Sequence, residues 1–512
     1  MSARQLVRGF HRWLGAALCL LFLTWFLSGF VMTFAGFPSV GERERLIHAA
    51  PLRAESIRVQ PGAALAELTR NADAIELRAV GDRALYSVRS AGRSHSVFAD
   101  TGERPSELDE HTLSLVAASW LGATTSDRTR LTEVDQWTPQ ADRRGELPCL
   151  RFRAADERAT ELYVSFVDGQ VLQLTTARTR FLAWIGAIPH WIYPILLRRH
   201  AGTWRALVIA LSALGAVASA SGLLHGLSVM RVARRSARGK RLSLSPFRDR
   251  WLALHHWLGL LFGALSFTWV LSGMLSFYPF ADSAESWPTS GDVAALRAAP
   301  LDPLSFSRNL GEALDACGRS LGGAVKRVEL TVAGQTAFYV CTDGHGASRI
   351  LNANDDSPAE NALTKNTIAS LSRALGAGAT VAEETLLESG DAYYYPTHFE
   401  PELTFPVLRT HFTSGLVTYV SPRTLHVERR YSSSGAAYRW LYHGLHSLDF
   451  PALYRRAWLW HPTIVAALLG ASLLAASGVW LSFRVATGRS RRPWRATRQV
   501  QPSSSHSDLE AS

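Results

Sequence analysis

Residues 11–15 (HRWLG) and 24–29 (TWFLSG) frame an apolar run, and residues 255–259 (HHWLG) and 268–273 (TWVLSG) frame a second run of the same length. Each motif opens a stretch of roughly 20 apolar residues, which is long enough to cross a bilayer core of about 30 Å. The sequence therefore predicts one membrane-spanning helix that occurs twice, with a histidine at the same depth each time.

Apolar residues are unevenly distributed along the 512-residue chain, whose mean hydropathy is only +0.02. A chain of this length is expected to contain more than one folding unit. The distribution predicts a membrane protein in which four spanning helices carry two sizeable extramembrane domains. The apolar regions lie near 13–35, 204–229, 257–279 and 459–483, and the polar stretches between them cover roughly 36–180 and 281–435.

The net charge of +11 is concentrated next to the predicted spans. Cytoplasmic segments beside spanning helices carry such an excess of basic residues, so we predict cytoplasmic N- and C-termini and two large domains on the opposite side. This topology explains the charge without nucleic acid as a partner. The basic residues are Arg4, Arg8 and Arg12, then Arg231, Arg234, Arg235, Arg238, Lys240, Arg241, Arg248 and Arg250, then Arg484, Arg489, Arg491, Arg492, Arg495 and Arg498.

The first apolar run is interpreted as a retained anchor. It is longer than the hydrophobic region of a secretory signal, and no clear small-x-small cleavage site follows it. Its twin at 255–279 is internal and cannot be a signal.

The four cysteines contain no CxxC or CxxCH motif, so covalent attachment of a c-type haem is not indicated. A disulfide between Cys317 and Cys341 is conceivable, because both lie in a stretch predicted to be outside the cytoplasm.

Eight segments follow from these patterns, and each outer domain is predicted to have an α+β fold with helix-plus-hairpin units. The segments are 1–35 (first span), 36–180 (first outer domain), 181–230 (interfacial segment and second span), 231–250 (basic cytoplasmic loop), 251–280 (third span), 281–436 (second outer domain), 437–485 (interfacial segment and fourth span) and 486–512 (cytoplasmic tail). In the first domain we expect helices at 61–71 and 111–121 and strands at 75–80, 84–90, 95–99, 131–137, 149–153, 161–166 and 170–176. In the second we expect helices at 305–317 and 362–375 and strands at 325–333, 336–342, 347–351, 405–412, 415–420 and 424–431.

A second recurring feature precedes each even-numbered span. Residues 184–199 (WIGAIPHWIYPILLRR) and 440–456 (WLYHGLHSLDFPALYRR) are rich in the aromatic residues that favour the membrane–water interface. His190 matches His446 in these segments. The chain therefore reads as a tandem duplication, and equivalent residues of such parallel repeats are expected to face each other at equal depth.

Paired histidines at membrane depth favour a bound cofactor. A single one could be an interfacial histidine satisfied by headgroups or water, but two duplicated pairs at fixed depths indicate function. Two b-type haems would each need two axial imidazoles from facing helices, and the candidate pairs are His11 with His255 and His190 with His446. Zinc is a weaker alternative, because no HExxH motif or accompanying carboxylate occurs.

Three further histidines lack a counterpart in the other half and are alternative ligands or neighbours of ligands. They are His225, His256 and His443, and the positions that match them hold Leu481, Arg12 and Ala187.

These motifs, from about residue 8 to residue 485, resemble the PepSY-associated transmembrane family. The resemblance implies a multi-pass protein of the inner membrane with two PepSY-like periplasmic domains. The family includes ferric-siderophore reductases that carry two b-type haems on histidines. Carried over by position, it implies His11, His255, His190 and His446 as haem ligands.

Two functions remain open on the sequence. The first is electron transfer from a cytoplasmic or membrane donor, through two haems, to a ferric chelate or siderophore outside. No flavin or nicotinamide motif occurs, so the donor would be a separate molecule. A span rises about 30 Å over 20 residues, which is too far for one efficient electron hop unless the haems extend toward each other or Trp25 and Trp269 relay the electron. The alternative is a non-enzymatic membrane protein whose outer domains bind a peptide, a protease or a partner. A small transporter is disfavoured because the spans carry no mid-membrane charges.

Overall fold

The computed structural model describes residues 3–122, 125–141, 145–236, 247–277, 287–397 and 402–488. Half of the predicted basic loop at 231–250 and nearly all of the predicted tail at 486–512 lie outside the described residues.

Four helices in the described part of the chain are long and apolar enough to cross a membrane, as the sequence predicts. They are α1 (Ala3–Met32), α2 (Ala201–Ser236), α3 (Arg250–Leu275) and α4 (Ala457–Ala486). Large apolar side chains stay exposed along them, for example Trp13, Leu20, Leu261 and Leu473. Water would disfavour such a surface, whereas hydrocarbon would not, so these faces are typical of membrane helices.

Fourteen strands within the described residues form three antiparallel sheets, and their orders are β10-β9-β8-β1-β2-β3, β4-β5-β6-β7 and β11-β12-β13-β14. The strands are β1 (Ala74–Val80), β2 (Arg83–Ser90), β3 (Arg93–Phe98), β4 (Thr125–Leu131), β5 (Cys149–Ala154), β6 (Glu161–Ser165), β7 (Val171–Thr175), β8 (Val325–Ala333), β9 (Thr336–Asp343), β10 (Ser348–Asn352), β11 (Val381–Leu387), β12 (Val407–Phe412), β13 (Val417–Val420) and β14 (Val427–Tyr431).

The six-stranded sheet takes three strands from each outer stretch. β1 pairs with β8, so that Ile75 lies opposite Leu330 and Leu77 opposite Val328. All four side chains are fully buried in the largest apolar cluster. The alternation of residues along a strand predicts that it has a buried face, but not which strand it pairs with. The pairing between the two stretches is therefore a feature that the sequence did not predict.

Two strands differ from the sequence prediction, and both are edge strands. The strand predicted at 131–137 is wrong, because β4 ends at Leu131; the strand β11 was not predicted at all. Edge strands often carry polar residues and lack a clear apolar alternation, as TSDRTRL in β4 does. After β4 the Asp135 carboxylate accepts hydrogen bonds from the backbone N–H groups of Trp137 and Thr138, which favours a turn.

Side-chain caps shift two of the predicted helices. The helix predicted at 305–317 runs from Leu310 to Leu321, because the Asn309 side chain accepts from the N–H groups at its start. The helix predicted at 362–375 begins at Lys365, after a Thr364 cap. The remaining α-helices are Glu42–His48, Pro61–Leu65, Glu110–Leu121, Ala177–Ile185, Ala187–His190, Ile195–Arg198, Ser290–Arg297, Lys365–Arg373, Ser433–Tyr438, Leu445–Ser447 and Pro451–Tyr454, with a π-helical turn at Arg439–Gly444 and 3₁₀ turns at Ala54–Ser56, Pro303–Ser305 and Ala374–Gly376.

Contacts group the chain into two compact units. One comprises the described residues within 1–23, 218–264 and 470–512, and the other comprises those within 24–217 and 265–469. The first unit contains His11 and His255, and the second contains the three sheets together with His190 and His446.

A disulfide joins Cys317, on the helix Leu310–Leu321, to Cys341 on β9, which confirms the pairing that the sequence left open. Cys19 and Cys149 are free thiols. The bridge ties a helix to the six-stranded sheet across 24 residues of chain. Disulfides of this kind persist in oxidising compartments.

We expect replacement of both Cys317 and Cys341 by Ala to lower the free energy of unfolding by about 3 kcal/mol, because the bridge restricts the unfolded chain. Thermal unfolding of the detergent-solubilised protein measures this as a drop of several degrees. Alkylation without reductant should label Cys19 and leave Cys317 and Cys341 unlabelled. Equal labelling of all three would contradict the bridge.

Candidate metal-ligand histidines

The first unit brings His11 on α1 and His255 on α3 face to face. Their ring centres are 6.2 Å apart, with 32° between the ring planes. His11 Nδ1 lies 3.1 Å from the carbonyl oxygen of Ala218, and His255 Nδ1 lies 2.8 Å from Ser477 Oγ. A neighbouring helix therefore orients each ring, α2 for His11 and α4 for His255.

Two glycines lie against these rings at equivalent places. A Cβ atom added to Gly222 would lie 2.6 Å from His11 Cε1, whereas one added to Gly478 would lie 3.5 Å from His255 Cε1. The first distance is a clash and the second is an ordinary van der Waals contact. The close approach of α2 to the His11 ring therefore needs glycine at position 222.

The second unit brings His190 and His446 together in the same way. Their ring centres are 6.1 Å apart and the ring planes are 68° apart. His190 Nδ1 lies 3.1 Å from the carbonyl oxygen of Trp25 and 3.2 Å from Ser28 Oγ. The two halves of the sequence supply equivalent contacts to each ring.

For His446 the corresponding atoms are the carbonyl oxygen of Trp269, at 3.2 Å from Nδ1, and Ser272 Oγ, at 3.1 Å. The repeated Thr-Trp-x-Leu-Ser-Gly motif thus places a carbonyl and a hydroxyl, three residues apart, around one imidazole nitrogen. Sequence reasoning identified the motif as a repeat but missed this role of its serine. The sequence signal that could have indicated this role is that Ser28 and Ser272 lie equally far along the chain from His11 and His255.

Hydrogen bonding fixes the tautomer of all four rings. A carbonyl oxygen only accepts, so Nδ1 of His11 must donate to Ala218. The Ser477 hydroxyl donates to the Leu474 carbonyl oxygen, so its oxygen accepts from His255. Ser28 and Ser272 likewise donate to backbone carbonyl oxygens.

With the proton on Nδ1, each ring presents a lone pair on Nε2. This is the usual arrangement of a metal-binding histidine, in which the non-ligating nitrogen donates to a protein oxygen.

Ring separations provide a direct test of whether an iron fits. A metal–imidazole bond is about 2 Å long, so two imidazoles on one iron hold their bonding nitrogens about 4 Å apart. About 1 Å more from each nitrogen to its ring centre gives about 6 Å between the centres. The observed 6.2 and 6.1 Å agree with this value. The donor set and spacing of both pairs therefore fit a b-type haem iron.

Burial keeps the second pair uncharged. It lowers the pKa of His190, and burial together with the nearby His190 lowers the pKa of His446 to about 4. Both rings are then neutral at pH 7, the form that binds a metal. Tyr442 stacks on His446, with ring centres 5.2 Å apart, and fixes its plane further.

The three alternative histidines do not form such pairs with each other in the described residues. His256 packs against Phe247, with ring centres 5.3 Å apart. His443 packs against Tyr438 and Tyr442 at 5.8 and 5.0 Å. His225 lies on α2, where its backbone carbonyl accepts from Ser228. Their predicted role as ligands or as neighbours of ligands stays a prediction.

Within the described residues, no group of three or more His, Cys, Asp and Glu side chains comes together as a metal site made of protein ligands alone. No protein-family model matches the sequence, and no curated protein matches it. The resemblance to the PepSY-associated family stays a prediction.

Proposed function

We propose that this protein is an inner-membrane electron-transfer protein with two b-type haems, one between His11 and His255 and one between His190 and His446. The observation that carries the proposal is the geometry of the pairs. Four imidazoles, each with Nδ1 occupied by a protein oxygen, face each other at 6.2 and 6.1 Å. Interfacial histidines satisfied by water would have no reason to share this spacing and this tautomer.

The residues of the chain have distinct tasks in this proposal. The four histidines would hold the two haem irons, and the serine and carbonyl oxygens hold their rings in orientation. Bound haem would supply a one-electron carrier in each unit. Each ferric ion reduced to ferrous iron takes one electron from the protein, and a separate cytoplasmic or membrane donor replaces it. The relay role of Trp25 and Trp269 stays a prediction.

A tandem duplication of the chain supports equal roles for the two halves. Glu76 lies opposite Glu329 at the pairing of β1 with β8, as expected where a two-fold axis passes between equivalent residues. Trp204 Nε1 donates to the Trp191 carbonyl oxygen, and Trp460 Nε1 donates to that of Ser447.

Two partly buried carboxylates repeat in the same way. Asp135 accepts from the Tyr163 hydroxyl, and Asp391 accepts from the Tyr419 hydroxyl. These equivalences are the contacts expected if one ancestral helix–domain–helix unit was copied.

We propose that both termini are cytoplasmic and that the sheets are periplasmic. Basic residues flank one end of each span, and such an excess is typical of the cytoplasmic side. A reporter fused after residue 240 should then be active as a cytoplasmic fluorescent protein and inactive as an exported phosphatase. A fusion near residue 150 should behave in the opposite way. Exchange of the two results would overturn the topology.

Oxidation of the reduced protein by a ferric chelate tests the proposed activity. The full-length protein is reduced with dithionite, freed of excess reductant under nitrogen, and mixed with a ferric hydroxamate siderophore and a ferrous-iron trap. We expect the reduced b-type bands to fall while one ferrous ion is trapped for each electron lost. The gallium(III) complex of the same siderophore is the matched control, because it cannot be reduced. Bands that persist equally with iron and gallium would contradict reduction of this substrate class.

A further inference from the structure

Arg439 is a fully buried arginine, with none of its surface exposed. It begins the π-helical turn Arg439–Gly444, which continues the helix Ser433–Tyr438 and leads directly into Leu445–Ser447, the turn that carries His446. Single π-turns are rare and occur frequently at functional sites.

The hydrogen-bond acceptors of the guanidinium among the described residues are neutral backbone oxygens. Its Nε donates to the Ala392 carbonyl oxygen at 3.1 Å, and its Nη2 donates to the backbone carbonyl oxygen of Asp449 at 2.5 Å. The rings of Tyr395 and Trp440 lie 4.2 and 4.8 Å from its Cζ. Nη1 is buried and has no hydrogen-bond partner in this part of the chain.

A buried charge in such surroundings is unfavourable unless an opposite charge pairs with it. Burial raises the pKa of the nearby Asp449 carboxyl and the charge of Arg439 acts to lower it, but no hydrogen bond joins the two side chains. The backbone oxygen of Asp449 rather than its carboxylate accepts from Arg439, and the carboxylate is instead 3.4 Å from the Tyr395 hydroxyl. The buried Nη1 donor, which has no hydrogen-bond partner among the described residues, therefore favours a carboxylate or similar anion from outside the protein chain.

The position of Arg439 relative to His446 indicates which anion. The two residues are seven positions apart in one continuous helical run that includes the π-turn, so at most about 10 Å separates them along its axis. This is comparable with the reach of a porphyrin from its central iron to its propionate carboxylates.

The first half has no equivalent charge. Ala183 directly precedes Trp184, as Arg439 precedes Trp440, and Ala183 is buried. An arginine at this place is therefore not required by the repeated architecture.

We propose that Arg439 binds a propionate carboxylate of the haem held by His190 and His446, through its free Nη1 donor. The inference rests on the proposed function. A guanidinium–carboxylate pair in a buried site forms strong charge-assisted hydrogen bonds. Arg439 would thereby fix the orientation of the macrocycle, with the propionate as the acceptor for its unpaired Nη1 donor.

Esterified haem provides the test. Full-length protein with His255→Ala, so that only the second pair binds, is purified from haem-starved cells and titrated with haem or with its dimethyl ester, in which both propionates are uncharged. With Arg439 present, we expect the ester to bind about tenfold more weakly or worse, as the loss of a charged hydrogen bond predicts. When Arg439→Gln is added, the protein should bind haem as weakly as it binds the ester.

Arg455→Gln is the matched control, since Arg455 is a nearby arginine that donates to the Gly390 carbonyl oxygen and is exposed. It should keep the preference for free propionates. If the Arg439→Gln protein is not monodisperse, Arg439→Met replaces it, because methionine still packs against Tyr395 and Trp440.

Three results would each be decisive. Equal binding of haem and ester with Arg439 present would overturn the inference alone. An unchanged preference in the Gln or Met variant would overturn it as well. Failure of the His255→Ala protein to bind either form would instead contradict the proposed function.

Discussion

Replacement of His446 by Ala is expected to remove about half of the haem absorbance while the protein stays folded. The His446 ring faces His190 at 6.1 Å, and its Nδ1 is held by Trp269 and Ser272. Without it, the haem proposed for the second unit would lose one of the two histidines that would hold it. Haem content per chain, measured as the pyridine haemochrome, gives the result.

His443→Ala is the matched control, because His443 lies three residues earlier and packs against tyrosines rather than a second histidine. It should keep the haem content of the unmodified protein. Replacement of His255 by Ala should remove the other half. Full haem content in both the His446→Ala and His255→Ala proteins would contradict this assignment and indicate that the haem ligands are among His225, His256 and His443.

Gly222→Ala is expected to have the second large effect, again a loss of about half of the haem. The added Cβ would lie 2.6 Å from Cε1 and 2.9 Å from Nδ1 of His11, so the ring must leave its place and its bond to Ala218. The ring is the free end of a side chain, so it can move at little cost to folding. Alanine also favours a helix over glycine by about 1 kcal/mol. We therefore expect haem loss without a lower thermal midpoint.

Gly478→Ala is the matched control on α4. Its Cβ would make an ordinary 3.5 Å contact with His255 Cε1, so haem content should be retained. Equal haem content in the Gly222→Ala and Gly478→Ala proteins would show that haem binding does not require the His11 ring at its position in the structure.

The duplicated motifs predicted the histidine pairs because position in a repeat determines depth and direction. Residues that match in sequence, such as His11 and His255, lie close together, as expected if the two halves are parallel repeats that face each other. The four apolar runs predicted the spanning helices for a similar reason, since length and hydropathy alone decide whether a helix can cross a bilayer.

The sequence did not predict the pairing of β1 with β8 or the edge strands β4 and β11. Nothing in β1 or β8 taken alone indicates that the two strands lie side by side, because periodicity reports burial and not partners. The polar edge strand β4 lacks the alternation on which strand prediction depends. The sequence also did not indicate that Arg439 is buried. A single arginine in an aromatic interfacial segment is usually expected to extend to the lipid headgroups.

The central claim is that each histidine pair holds one b-type haem, and the haem stoichiometry of the full-length protein tests it most directly. Protein purified from haem-sufficient cells should be red, with a reduced-minus-oxidised spectrum of the b type and two haems per chain by pyridine haemochrome. Protein that is monodisperse and folded but carries no haem would contradict the account and favour the binding of a peptide or protein partner by the outer domains.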